Sequence, residues 1–140
     1  MVAHSPYLLL VDDDPEDREM LMSAFMEANP AVAIRYASDV HEGLQMLESC
    51  PPAELPTVLL IDYQMPGLNG LDLLQTLQAN PAYREITKVM WSTSQRSKDM
   101  EDCKRCGASF YLIKPSTSAD LDKVIHQLTA VFEFASHKNH

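Results

Sequence analysis

Five side chains of this chain are suited to phosphoryl chemistry, and each stands at the end of a short apolar run. Asp12 and Asp13 follow Tyr7 to Val11. Asp62 follows Thr57 to Ile61. Ser92 follows Thr87 to Trp91, with Thr93 and Ser94 beyond it. Lys114 follows Ser109 to Ile113 and precedes Pro115. One carboxylate in such a place means little. Three carboxylates, a hydroxyl and a lysine form a set. Gathered in one pocket, the carboxylates repel one another and raise each other's pKa. A hard divalent cation removes that cost. Mg²⁺ takes a few carboxylate oxygens, keeps waters and is commonly shared with phosphate oxygens. It can neutralise a phosphoryl group during transfer. A carboxylate is also a nucleophile toward phosphorus and forms an acyl phosphate. Lysine offers a point positive charge to a phosphate oxygen, and serine a hydrogen bond. The combination is what reversible aspartyl phosphorylation requires.

The elements that must bring these residues together alternate between strand and helix. Continuous apolar runs such as Tyr7 to Val11 and Thr57 to Ile61 suit strands buried on both faces. Val32 to Ala37, Thr87 to Trp91 and Ser109 to Ile113 read as the other strands. Asp14 can cap a first helix, Pro15 suits its first position, and Glu16 and Asp17 suit its positive end. Leu21, Ala24, Phe25 and Ala28 give its apolar face, and Asn29-Pro30 stops it. Val40, Leu44 and Leu47 line a second helix, and Leu71, Leu74 and Leu77 a third. Residues 96 to 106 form a weak, charged fourth helix ended by Gly107. Leu121, Val124, Ile125, Leu128 and Phe132 stripe a fifth. Cys50 to Pro56 holds three prolines and reads as a loop. Strands alternating with helices predict an α/β, doubly wound, five-stranded parallel sheet with five flanking helices. Ligands of such sheets gather beyond the carboxyl ends of the strands. For Asp12, Asp13 and Asp62 to meet, the first and third strands must be neighbours. The order is then 2-1-3-4-5, with its switch point between the carboxylates.

At 140 residues the chain is the size of one domain, and 46% hydrophobic residues suffice for a core. A formal net charge of −9 and no dense Lys/Arg run argue against direct nucleic-acid binding. No apolar stretch approaches the roughly 20 residues of a membrane helix, and residues 1–6 lack a signal-peptide pattern. Three cysteines, an odd number, point to a reducing compartment, hence the cytoplasm. The Cys103-x-x-Cys106 pair has no partner pair for zinc and no reactive helix start. It reads as two small residues on a helix. The five histidines share no ligand spacing.

On these residues the chain resembles the response-regulator receiver family of two-component signalling, the CheY-like, flavodoxin-like group. The carriers are LLLVDDD at 8–14, LLIDYQMPGLNG at 59–70, VMWSTS at 89–94 and FYLIKP at 110–115. The likeness extends over about residues 6 to 134. It implies one receiver domain over 1–140, with 135–140 a polar tail. It implies that Asp62 is the phosphoacceptor and that Asp13 binds Mg²⁺ directly. Asp12 would act through a metal-bound water, and the backbone carbonyl of Gln64 would supply a further oxygen. Ser92 matches the switch hydroxyl, Lys114 the phosphate-binding lysine, and Tyr111 the aromatic whose rotamer follows the switch. The family usually holds the bond between Lys114 and Pro115 cis, so a cis bond is expected. The implied partners are a histidine kinase or histidine phosphotransfer protein and an unnamed downstream protein. Self-association would use the face of the fourth helix, fifth strand and fifth helix. Such a chain is a signalling phosphoacceptor and not an enzyme with turnover.

The chain departs from the family pattern at Trp91, where an aliphatic residue is usual, and at Thr93, where a small one is. Trp91 either crowds the switch strand or fills the core. Gln64 and Ser94 occupy positions that tune phosphoryl lifetime in the family. Two rival readings stand beside this one. A haloacid-dehalogenase-like phosphohydrolase also uses an aspartyl phosphate, and Asp12 and Asp14 fit its D-x-D. Glu16 then occupies its Thr/Val position, and no cap domain has room. The alternative is a receiver-fold binding module that signals without phosphorylation, against which the complete acidic set, Ser92 and Lys114 weigh.

Overall fold

The computed structural model describes residues 5–138. The strands are β1 (Tyr7–Val11), β2 (Ala33–Ala37), β3 (Val58–Asp62), β4 (Thr87–Ser92) and β5 (Phe110–Ile113). The helices are α1 (Pro15–Ala28), α2 (Val40–Ser49), α3 (Gly70–Gln78), α4 (Ser97–Arg105) and α5 (Ser118–Lys138). The sheet is parallel throughout, in the order β2-β1-β3-β4-β5. Among the described residues no helix is long and apolar enough to cross a membrane.

Side chains alternate across the sheet with the strand period of two. Leu9, Val11, Leu59, Ile61 and Met90 point to one layer and meet Val40, Leu47, Leu73, Leu74, Leu77 and Cys103. Leu8, Leu10, Val58, Leu60, Val89 and Trp91 point to the other and meet Leu21, Phe25, Val124, Leu128 and Phe132. β1, β3 and β4 are buried along their whole length because helices cover both faces. β2 is an edge strand, with Arg35 and Tyr36 exposed. Each fully buried Leu contributes about 1.5–3 kcal/mol of transfer free energy.

The helix starts follow the local chemistry. Asp14 caps α1 by accepting from the Glu16 amide at 2.9 Å, and Asp39 caps α2 by accepting from the Glu42 amide at 2.8 Å. Asn69 and Asp72 form a reciprocal capping box on α3. α4 is the exception, since Arg96 stands at its N-cap position and gives no side-chain cap.

Several sequence expectations need correcting. The fifth helix does not give way to a tail after Ala135 but runs to Lys138. Leu128, Val131, Phe132 and Ala135 continue its apolar stripe at helical spacing, and all four are buried. Residues 139 and 140 lie outside the described set. Ala28 does not complete the inward face of α1 and is exposed, and the loop at 50–56 contains a 3₁₀ turn, Pro52–Glu54. The bond between Lys114 and Pro115 is trans, since no described peptide bond is cis. A trans X–Pro bond is the lower-energy isomer by about 0.5–1 kcal/mol. Asp62 and Ser92, expected just after their strands, are the last residues of β3 and β4. The hydrogen-bonded ladder therefore fixes their backbones.

Gly70 fastens α3 to the end of β3. Its amide donates to the Tyr63 carbonyl at 3.2 Å. A Cβ at this position would lie 2.4 Å from the Asp62 carbonyl oxygen and 2.7 Å from the Met90 methyl. The first of these atoms is backbone and cannot swing away. Gly70→Ala is therefore expected to cost about 1–3 kcal/mol. Urea unfolding should show a lower midpoint with an unchanged slope.

Candidate functional site

The carboxyl ends of β1, β3, β4 and β5 converge on one acidic pocket. Asp12 follows β1 and is fully buried, and Asp62 ends β3 at 2% exposure. Asp13 is half-buried beside them. One carboxylate oxygen from each of Asp12, Asp13 and Asp62 lies within 4.8 Å of the others. Lys114 reaches in from the end of β5. Its Nζ stands 3.2 Å from Asp62 Oδ1, 3.3 Å from Asp12 Oδ2 and 2.9 Å from Asp17 Oδ2.

The remaining acceptors are held by fixed donors. Asp12 Oδ1 accepts from the Asp14 amide at 2.9 Å, and its Oδ2 from the Trp91 indole Nε1 at 3.1 Å. Asp62 Oδ1 accepts from the Gln64 amide at 3.1 Å. Trp91 fills the core, fully buried, and also lies under the ammonium of Lys114, 4.8 Å from ring centre to Nζ. The open choice between crowding and filling is thus decided by packing, with a polar contact at the indole edge.

The electrostatics follow from burial. Burial pushes the Asp62 carboxyl up to about 7, and repulsion from Asp12 adds to it, while Lys114 and the Gln64 amide pull it down. Burial likewise raises Asp12, against the Asp14 amide and Lys114. Burial disfavours the charged amine of Lys114, yet Asp17, Asp62 and Asp12 together hold it above its ordinary value. Three carboxylates thus contact one ammonium, and Asp13 adds a fourth acid to the pocket. The pocket has an excess of oxygen donors and negative charge, which fits a hard divalent cation such as Mg²⁺.

Ser92 is buried, and its Oγ accepts from the Ser94 amide at 3.0 Å. That bond leaves its hydroxyl proton free to donate elsewhere. Tyr111 is half-buried, and its hydroxyl donates to the Ser94 carbonyl at 2.9 Å. The side chain of Gln64 is exposed at the rim. Cys103 is buried, Cys106 is half-buried, and both are free thiols.

The sequence reading missed four participants. The sequence points Asp17 only to the positive end of α1, yet it makes the shortest contact with Lys114. Its place in the first turn of α1, directly after the acidic pair at the end of β1, is the signal that could have found it. The indole of Trp91 bonds Asp12 across 79 positions of sequence, a contact with no local signature. Tyr63 and Asp99 join each other at 3.2 Å beside the pocket, and nothing in their spacing announces it.

The raised carboxyl of Asp62 has a stability consequence. Its ordinary value is 3.8 and its folded value about 7. Between those limits the folded chain keeps a proton that the unfolded chain releases. Metal-free protein therefore loses stability as pH rises through that window. Lys114 contributes equally across the window, because its contribution disappears only well above it. Asp62→Asn removes the buried charge. In metal-free buffer it is expected to be more stable than wild type by about 1–3 kcal/mol at pH 8, with a smaller difference at pH 5. Urea unfolding with a chelator at both pH values measures this.

Comparison with known proteins agrees with this geometry. The family profile described as the response regulator receiver domain matches residues 8–126. The nitrate/nitrite response regulator protein NarL of Escherichia coli (strain K12) is 32% identical over 123 residues, 88% of this chain and 54% of NarL. The chain thus spans about half the length of that relative. The two-component response regulator ORR12 of Oryza sativa subsp. japonica is 28% identical over 124 residues, 89% of this chain and 98% of that one. The phosphorylated cyanobacterial phytochrome response regulator RcpA shares the fold at a TM-score of 0.79 and 19% identity, covering 96% of each chain. With the sheet order, the acidic pocket and the family match in agreement, the chain belongs to the response regulator receiver domain family of two-component signalling.

Proposed function

We propose that this chain accepts a phosphoryl group on Asp62, with Mg²⁺, from a phosphorylated histidine of a kinase or phosphotransfer protein. The observation that carries the reading is the convergence of Asp12, Asp13 and Asp62 within 4.8 Å, with the Lys114 amine at 3.2 Å from Asp62. Asp13 and Asp62 would hold the cation directly, Asp12 through a water, and the Gln64 backbone carbonyl would add an oxygen. The bound cation would neutralise charge on the transferring phosphoryl oxygens. The other steps belong to the chain. An Asp62 oxygen attacks phosphorus as the P–N bond to imidazole breaks, and the imidazole keeps the electron pair. The Lys114 ammonium pairs with a phosphoryl oxygen. The free proton of Ser92 donates to another. Burial keeps bulk water from the new acyl phosphate.

The chain acts here as a phosphoacceptor whose chemistry stops at its own phosphorylation and dephosphorylation. Its place is the cytoplasm, a reading supported by three free cysteines. Phosphorylation would shift the face built from α4, β5 and α5, through which a downstream protein or a second copy would be engaged. A shift requires that the phosphoryl group interact differently with the two states. The differing contacts would be those of Ser92 and Lys114.

Trp91, the single tryptophan, reports on the pocket directly because its indole bonds Asp12. Its fluorescence should change on adding Mg²⁺ and again on adding beryllofluoride. Asp62→Asn should lose the second response. Acetyl phosphate with Mg²⁺ should label wild type and leave the variant unlabelled. Unlabelled wild-type protein would favour the phosphorylation-independent binding module.

A further inference from the structure

The loop between β4 and α4 is pinned at one residue from every side. The Ser94 amide donates to Ser92 Oγ at 3.0 Å. The Ser94 carbonyl accepts from the Tyr111 hydroxyl at 2.9 Å. The Ser94 hydroxyl donates to Asp99 Oδ2 at 2.5 Å, and its oxygen accepts from the Arg96 amide at 3.3 Å. The other oxygen of Asp99 accepts from the Tyr63 hydroxyl at 3.2 Å. Tyr63 is the residue after Asp62, and its own amide donates to the Trp91 carbonyl at 3.1 Å. The bonds therefore close a ring from the phosphoacceptor through Tyr63, Asp99 and Ser94 to the switch hydroxyl of Ser92.

This ring replaces the ordinary start of a helix. A first-turn acid commonly reaches back to the N-cap amide of its own helix. In α4 the N-cap residue Arg96 provides no side-chain cap. Its amide bonds Ser94 Oγ instead, and Ser94 passes the bond to Asp99. The start of α4 thus hangs on a residue of the switch loop. The Ser94 hydroxyl, more than any other contact, holds the Asp99 carboxyl below its usual range, with Arg96 assisting. Burial and Asp99 push the Tyr63 phenol up to about 12, so it stays a donor at neutral pH.

We propose that Asp99 is a positioning residue that sets the lifetime of the phosphoryl group on Asp62, by pinning Ser94 and through it the Ser92 hydroxyl. The proposal rests on the phosphoacceptor reading above and deepens it. Loss of the phosphoryl group requires water's oxygen to bond phosphorus as the bond to Asp62 breaks. The electron pair returns to the Asp62 carboxylate and inorganic phosphate leaves. A pinned loop keeps Ser92 on the phosphoryl oxygen and narrows the path for that water. A released loop does neither. Asp99 touches no reacting atom, so its effect must pass through Ser94.

A double-mutant cycle tests this dependence. Wild type, Asp99→Ala, Ser94→Ala and the double variant are labelled with acetyl phosphate and Mg²⁺, and decay of the label is timed. Each single variant is expected to shorten the lifetime by roughly three- to tenfold. The double variant should decay no faster than either single one. Asp99→Asn keeps an acceptor oxygen and should restore part of the lifetime. Hydrogen exchange in unphosphorylated Asp99→Ala should rise over residues 93–98 and stay unchanged over 7–13 and 58–63. Labelled variants with wild-type lifetimes, or single effects that multiply in the double variant, would overturn the proposal while leaving the phosphoacceptor reading intact. Failure of wild type to label would instead sink that reading and the lifetime claim with it.

Discussion

The ammonium of Lys114 is the interaction on which the rest of the site depends. It lies within 3.3 Å of carboxylate oxygens from Asp12, Asp17 and Asp62, two of which are buried. Those acids come from β1, α1 and β3, while the lysine comes from β5. Without the lysine, burial and mutual repulsion would oppose packing these strand ends together. With it, the charges remain under-compensated, which leaves the pocket receptive to a cation. The lysine arrives from the far edge of the sheet, so the pocket forms only when β1, β3, β4 and β5 are in register. Folding and site assembly are therefore one event.

The polar groups around this centre divide the labour. On one side, the Asp14 and Gln64 amides and the Trp91 indole are fixed donors on loops and a strand. They orient the carboxylates without adding net charge. The indole also gives Asp12 a second partner on the oxygen that Lys114 shares. The lysine can then turn toward a new anion without stranding that oxygen, a device an aliphatic residue could not supply. On the other side, Ser92, Ser94, Tyr111 and Asp99 link the pocket to α4. That helix is charged, presents one buried residue and lacks its own cap. Few buried contacts mean a low local opening cost. A change at Ser92 thus meets its least resistance there, in keeping with the proposed switching face.

The architecture and most of the pocket were legible along the chain. Buried parallel strands are continuous apolar runs, and their ends are visible where the polar residues begin. Requiring Asp12, Asp13 and Asp62 to share a site then dictated the order β2-β1-β3-β4-β5, which the structure has. The start of α1 was readable where Asp14 supplies a cap, because capping is local chemistry, whereas the capping box of Asn69 and Asp72 on α3 was not read. Boundaries were less readable where polarity and structure part company. His137 and Lys138 look like a tail, yet the buried Ala135 carries α5 through them. Ala28 keeps the helical spacing of an inward face, yet it lies at the last turn of α1, where the helix leaves the core.

The fold class, the acidic set, the lysine and the hydroxyl could all be read along the chain, because strand patterns are local and each of these groups stands at a strand end. Which partners these groups take follows from the packed fold alone. The indole of Trp91 on Asp12, Asp17 on Lys114, and Asp99 between Tyr63 and Ser94 are contacts between separate elements. Their existence depends on strand register and helix rotation to within an ångström or so, the tolerance of a hydrogen bond. Residue type and spacing carry no information at that precision, and packing of the finished core does.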